Sequence, residues 1–164
     1  MRLIKNQEYL RSVIFGIEDS LVSTTGLIAG ISIAADNRQT VLIGGMVAII
    51  VEAVSMGAGE YISDDAISEI DKLKRHKEKP RISGLLMFVS YFLAGLIPLT
   101  PVILVEYPAS LWYSVGLALS CLFLLGYLKG RYVKSNPWRG GLKILIIGGF
   151  ATSIGVLVGY FFKV

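Results

Sequence analysis

Five apolar blocks, at about residues 12–35, 40–62, 82–105, 109–128 and 141–162, dominate this 164-residue chain. Each holds roughly 20 residues or slightly more, enough at 1.5 Å rise per residue to cross a hydrocarbon layer about 30 Å thick. Backbone groups in lipid must be paired within the segment, and the blocks lack the strict alternation of a membrane strand, so they are expected to be helices. Only 17% of the residues are charged, below the usual quarter of a soluble domain. The expectation is an all-α membrane protein with one transmembrane domain of five helices. The first block carries Glu18 and Asp19 and does not read as a cleaved signal peptide.

The charges give a direction. Every Lys and Arg except Arg38 and Lys163 falls before the first block, between the second and third, or between the fourth and the start of the fifth, where Lys143 is the third residue of the block. The positive-inside rule then puts the N-terminus in the cytoplasm and the C-terminus outside or in a lumen. This topology, with attraction to anionic lipid, explains the net charge of +4 without nucleic acid as a partner. The connections at 36–39 and 106–108 are short. The longest, 63–81, is cytoplasmic on this reading. Its apolar residues Ala66, Ile67, Ile70 and Leu73 have helical spacing, so it is expected to continue the second helix and stop before Pro80.

The chemistry lies in acids placed where charge is costly. Glu18, Asp19, Glu52 and Glu60 fall inside blocks, and no Lys or Arg lies deep enough to neutralise them. Such acids suggest a cation or proton path; the plainer alternative, for Glu18 and Glu60, is an interfacial position. Glu52, Met56 and Glu60 are spaced i, i+4, i+8. Each step drifts only about 40° around a helix and rises about 6 Å, so oxygen, sulfur and oxygen donors line one face. A thioether between carboxylates suits Fe²⁺ or Mn²⁺ better than Mg²⁺ or Ca²⁺, which prefer all-oxygen shells. The candidate metal-contacting residues on this ladder are Glu52, Met56 and Glu60; Asp19 joins them through the resemblance given below.

Other features point to packing. Gly44, Gly45, Ala53, Ser55, Gly57, Ala58 and Gly59 crowd the second block, and Gly26-x-x-x-Gly30 and Gly155-x-x-x-Gly159 are close-approach motifs. Asp19 is followed by Ser20, Ser23, Thr24 and Thr25, a polar and therefore buried face. Pro98 and Pro101 mark either a kink opening a cavity or a frayed helix end. Tyr107, Trp112, Tyr113 and Trp138 read as interfacial anchors, His76 as solvated and Cys121 as packing. A single Cys excludes a disulfide framework and a Cys-based zinc site. Without a nucleophile–base pair, a phosphate-cradling glycine loop or a His cluster, no enzyme and no permanently bound cofactor are expected.

Three segments together resemble the vacuolar iron transporter family: Asp19-Ser-Leu-Val-Ser-Thr-Thr-Gly, Ser55-Met-Gly-Ala-Gly-Glu60-Tyr61, and Ser90-Tyr followed by Gly95-Leu-Ile-Pro98-Leu-Thr-Pro101. The resemblance implies a homodimer with its pathway between subunits, carrying Fe²⁺, and often Mn²⁺, out of the cytosol in exchange for protons. On matching positions it makes Asp19, Met56 and Glu60 pathway residues; Glu52 is added from the helical ladder. The chain departs from the family at Ser20, where Gly is usual. It departs further at 63–81, where many members carry a long Glu-rich metal-capturing domain and this chain has a short stretch ending in Lys and Arg. The expected function is proton-coupled export of a divalent metal. The alternatives are a passive cation channel and a structural or regulatory membrane protein. The short loops lean towards a prokaryotic cell membrane rather than a vacuole-like organelle.

Overall fold

The computed structural model describes residues 7–35, 37–70 and 79–163. These form five helices in chain order: α1 (Gln7–Ala35), α2 (Arg38–Ile70), α3 (Pro80–Leu104), α4 (Ala109–Tyr132) and α5 (Pro137–Phe161). Each is long and apolar enough to cross a membrane. Among the described residues there is no strand. The expectations placed on Arg2, Lys5, Asp36 and the stretch 71–78, including His76, lie outside the described residues.

The helices overrun the apolar blocks because hydropathy sees only the oily middle, whereas backbone hydrogen bonding continues through polar turns. α1 begins at Gln7 rather than near residue 12, and α4 runs to Tyr132 rather than 128. α2 has 33 residues, and the expected continuation past residue 62 is helical as far as Ile70. Its apolar stripe does not pack on this chain: Ile67 and Ile70 are exposed, and the side chain buried on this stretch is Asp64.

Close approach of backbones fixes the arrangement. A Cβ at Gly155 would strike the carbonyl oxygen of Gly26, and one at Gly159 the carbonyl oxygen of Gly30. The two glycine motifs, one on α1 and one on α5, thus meet in parallel, a pairing that neither motif specifies alone. α2 and α3 run antiparallel over a similar seam, where a Cβ at Gly84 would sit 2.7 Å from the Gly57 oxygen. Gly126 of α4 meets Gly140 of α5 in the same way. α1 touches all four other helices, while among the described residues α2 touches only α1 and α3 and forms an edge of the bundle. Two apolar clusters complete the interior: Ile28, Val41, Ile49, Leu99 and Val102, and Leu21, Ala94, Leu122 and Ile144. Outward side chains such as Val51, Leu93, Phe150 and Leu157 are exposed and apolar, as a lipid-facing surface requires.

α3 continues through Pro98 and Pro101 to Leu104, with both prolines buried, so residues 98–101 are not a frayed end. Proline's fixed φ suits a helix, and its penalty falls on the carbonyls it leaves without N–H partners. At the helix end Val105 N–H returns to Pro101 O at 2.8 Å. Arg38 Nε donates to Val102 O at 2.8 Å, and a second guanidinium nitrogen donates to Ile103 O. At the same end Tyr107 Oη donates to Ser32 O at 2.9 Å. Trp112 and Tyr113 are exposed at the start of α4. At the other end, Trp138 packs its ring against Phe123 and Tyr127, each centroid at 5.8 Å. Cys121 is partly buried and forms no disulfide. The end of the bundle holding Arg11, Arg81, Lys129 and Arg139 is called the basic end below.

Candidate functional site

α1 and α2 lie antiparallel, and two polar contacts fix their register. Near the basic end, Ser12 Oγ donates to Glu60 Oε1 at 2.5 Å. Deeper, Ser23 Oγ donates to Glu52 Oε2 at 3.2 Å. Asp19 lies between the two serines on α1, and Met56 between the two glutamates on α2. The spacing explains the shared face: residues 52, 56 and 60 each advance by four, and residues 12, 16, 19 and 23 follow the three-or-four rhythm of a single helix side. All four candidate residues are half-buried. Asp19 is close enough to Glu52 and Glu18 for their charges to repel. The structure thus gathers the four residues along one α1–α2 seam at successive depths.

Glu52 has the fullest set of partners. The buried Tyr91 of α3 donates its hydroxyl to Glu52 Oε2. The Tyr91 and Ser23 hydroxyls are also within 2.6 Å of each other. One turn away, Ser20 Oγ donates to the Tyr91 carbonyl at 2.6 Å, fastening α1 to α3 at this depth. Neither Tyr91 nor Ser23 was among the residues singled out from the sequence as holding Glu52. A buried tyrosine hydroxyl must find a partner, and that signal was present at Tyr91, but nothing local said the partner lay on the second helix.

Glu60 corrects one expectation. It is not without a basic partner: an Arg11 guanidinium nitrogen lies 3.4 Å from Glu60 Oε1, with side-chain exposures of 64% for Arg11 and 11% for Glu60. Because α1 starts before the apolar block, Arg11 is already helical, and its long side chain runs along the helix to an acid at the same depth on the antiparallel neighbour. Glu52 and Asp19 have no such ion pair among the described residues.

A cavity of about 380 Å³ opens beside this pair, lined by Arg11, Ser12, Phe15, Glu60, Ser63 and Met87. A larger groove, about 530 Å³, runs along α1 and α5; it is apolar and glycine-lined, and Ser23 is the one member of the polar seam that reaches it. Among the described residues no three His, Cys, Asp or Glu side chains converge as a closed metal cage. An arrangement of acids in series, each with a hydroxyl or a thioether nearby, suits brief contact with a passing cation better than permanent coordination.

The VIT family model matches this chain over residues 10–82 and 65–160. The two matches overlap in the α2–α3 connection. Among curated proteins, the chain is similar to vacuolar iron transporter 1 of Oryza sativa subsp. japonica, with 25% identity covering 89% of this chain and 82% of that protein. It is similar to vacuolar iron transporter cccA of Arthroderma benhamiae, with 24% identity over 92% and 78%. It is also similar to vacuolar iron transporter homolog 3 of Arabidopsis thaliana, with 26% identity over 92% and 81%. The rice alignment spans 207 positions against 164 residues in this whole chain, whereas the homolog 3 alignment spans 162. With matches covering most of its length, and with five membrane-crossing helices, this chain belongs to the VIT family of membrane transporters.

Proposed function

We infer that this protein exports Fe²⁺, with Mn²⁺ as a second substrate, from the cytoplasm in exchange for protons, and that the ion follows the α1–α2 seam at a homodimer interface. The observation that carries this reading is the seam itself: Glu60, Met56, Asp19 and Glu52 lie at successive depths on two antiparallel helices, with Glu52 oriented by Ser23 and Tyr91. The names of the relatives, vacuolar iron transporters, support iron as the cargo. The basic end faces the cytoplasm by the positive-inside rule, so the ion enters beside Glu60 and Arg11 and reaches Glu52 last. The membrane is that of a prokaryotic cell or of a vacuole-like organelle, the latter favoured by the relatives' names.

The roles follow from the donor atoms. Glu60 and Asp19 attract the ion, Met56 supplies a soft ligand that discriminates against Mg²⁺, and Glu52 exchanges metal for protons. A carboxyl group in a low-dielectric setting tends to hold its proton, and a metal needs it deprotonated, so metal entry and proton release are linked. The dimer is supported by α2, which among the described residues touches only α1 and α3 and leaves the small residues Ser55, Ala58 and Gly59 exposed. A partner across that face would supply the ligands a single chain lacks. No resident cofactor is required.

Purified protein in liposomes tests this. Fe²⁺ and Mn²⁺ uptake should depend on an imposed pH gradient and should fall sharply in Met56→Ala and Glu52→Gln. Flux independent of the gradient would establish a passive channel instead. Wild-type rates in both variants would refute the assigned path.

A further inference from the structure

The ladder on α2 does not end at Glu60. The next position at four-residue spacing is Asp64, only 1% exposed, and its Oδ2 is buried with no hydrogen-bond partner among the described residues. Its two neighbours on the α2 ladder are answered: Glu60 by Ser12 and Arg11, Glu52 by Ser23 and Tyr91. A buried carboxylate oxygen with no donor is costly, and a fold keeps one only where something else meets it.

The surroundings narrow what that is. Gly84 of α3 packs against Gly57 and Tyr61 of α2, so the antiparallel register sets Asp64 opposite the first turn of α3. Tyr9 of α1 reaches the same place, its hydroxyl accepting from Lys79 N–H at 2.8 Å. Three helices therefore meet here. Ser83, in the first turn of α3, is fully buried, and its Oγ also lacks a partner among the described residues. Capping of α3 does not explain Asp64, because the Lys79 cap position carries no side-chain cap bond. Two orphaned hard oxygens thus stand on facing helices, one turn nearer the basic end than Glu60.

We propose that Asp64 and Ser83 form an all-oxygen loading site for a partly hydrated divalent cation, occupied before the ion meets Glu60 and Met56. The donor set is hard and sparse, which suits a small divalent ion that keeps several of its waters. Sulfur enters only at Met56, so the first site accepts divalent cations broadly and discrimination follows deeper in. In this chain, where the connection after α2 is short, the site does the capturing within the bundle. The proposal rests on the transport reading of the same seam.

The probe is Mn²⁺ with the full chain in lipid nanodiscs, bound ions being counted from the loss of the free-ion electron paramagnetic resonance signal. Asp64→Asn should bind one Mn²⁺ fewer per chain than wild type, and its metal-free unfolding temperature should be no lower, since an uncompensated buried charge is gone. Asp65→Asn, the half-buried neighbour, should keep the wild-type count. An unchanged count and affinity in Asp64→Asn would overturn the site, as would an equal loss in Asp65→Asn. Should Asp64→Asn not fold, Ser83→Ala carries the test: affinity weakened at least threefold supports the site, and unchanged affinity overturns it. Wild type that binds the Asp64-dependent ion yet moves no metal in liposomes would refute the transport reading and leave the site standing. Gradient-driven transport with an unaltered Mn²⁺ count in Asp64→Asn would do the reverse.

Discussion

The hydroxyls of Ser23 and Tyr91 lie 2.6 Å apart, on helices α1 and α3, and both reach the same carboxylate oxygen of Glu52 on α2. Three helices are thereby joined at one acid, and each hydroxyl limits how the other can turn. Removing the aromatic hydroxyl alone probes this junction. Tyr91→Phe keeps the ring and the Ser20 bond to the Tyr91 carbonyl but leaves Glu52 with Ser23 only. The expected loss of unfolding stability is about 0.5–1.5 kcal/mol, the usual net contribution of one hydrogen bond whose acceptor keeps another donor. The KM for Fe²⁺ should rise as Glu52 loses its fixed orientation. Thermal unfolding together with liposome uptake checks both.

Met56 is the sulfur donor on the seam. Met56→Leu keeps volume and apolar character, so stability should change by less than about 1.5 kcal/mol. Selectivity should move much further: competition of Mg²⁺ against Fe²⁺ uptake should strengthen roughly tenfold or more once the soft ligand is gone. Competition assays at fixed Fe²⁺ measure this, and an unaltered Mg²⁺ inhibition constant would remove Met56 from the path.

Arg11 is mostly exposed where it meets Glu60, and exposed ion pairs contribute about 0–1 kcal/mol. Arg11→Gln should therefore hardly alter the unfolding temperature. It frees the carboxylate at the cavity, so uptake at low Fe²⁺ concentration should increase, most visibly at low salt where screening is weak. Uptake slower than wild type, at equal stability, would show that the guanidinium helps the ion enter rather than competing with it.

The α1–α5 seam makes a stability prediction free of any assumption about transport. A side chain at Gly155 would collide with the Gly26 carbonyl, and backbone cannot step aside as a flexible side chain can. Gly155→Val should destabilise by about 1–3 kcal/mol or more through overpacking. The same change at Gly149, which has nothing within 4 Å of its Cβ position, should be nearly silent. Paired unfolding curves in detergent decide between the two.

The helices were readable from the sequence because length and apolarity in lipid leave little choice of structure. The α2 ladder was readable because it is local: residues 52, 56 and 60 share a face on any helix. What eluded the sequence was tertiary. Arg11 was assigned to the flank because it precedes the apolar block, and only the antiparallel register of α1 and α2 brings it to Glu60. Asp64 falls in the polar connection 63–81 with nothing local to set it apart, and its burial depends on where α3 begins. Gly26-x-x-x-Gly30 and Gly155-x-x-x-Gly159 each announced a close approach without naming its partner. Pro98 and Pro101 allowed a kink or an end, and the Arg38 bonds to the last turn of α3 mark where that helix does end.

Where α1 meets α5, main chain rests on main chain. Distances set by peptide units do not vary with rotamer, so this seam behaves as a fixed datum within an otherwise adaptable interior. Asp19 and Ser23 stand on the turns just before Gly26, and their height along the bundle is therefore referenced to α5 by geometry that thermal side-chain motion leaves untouched.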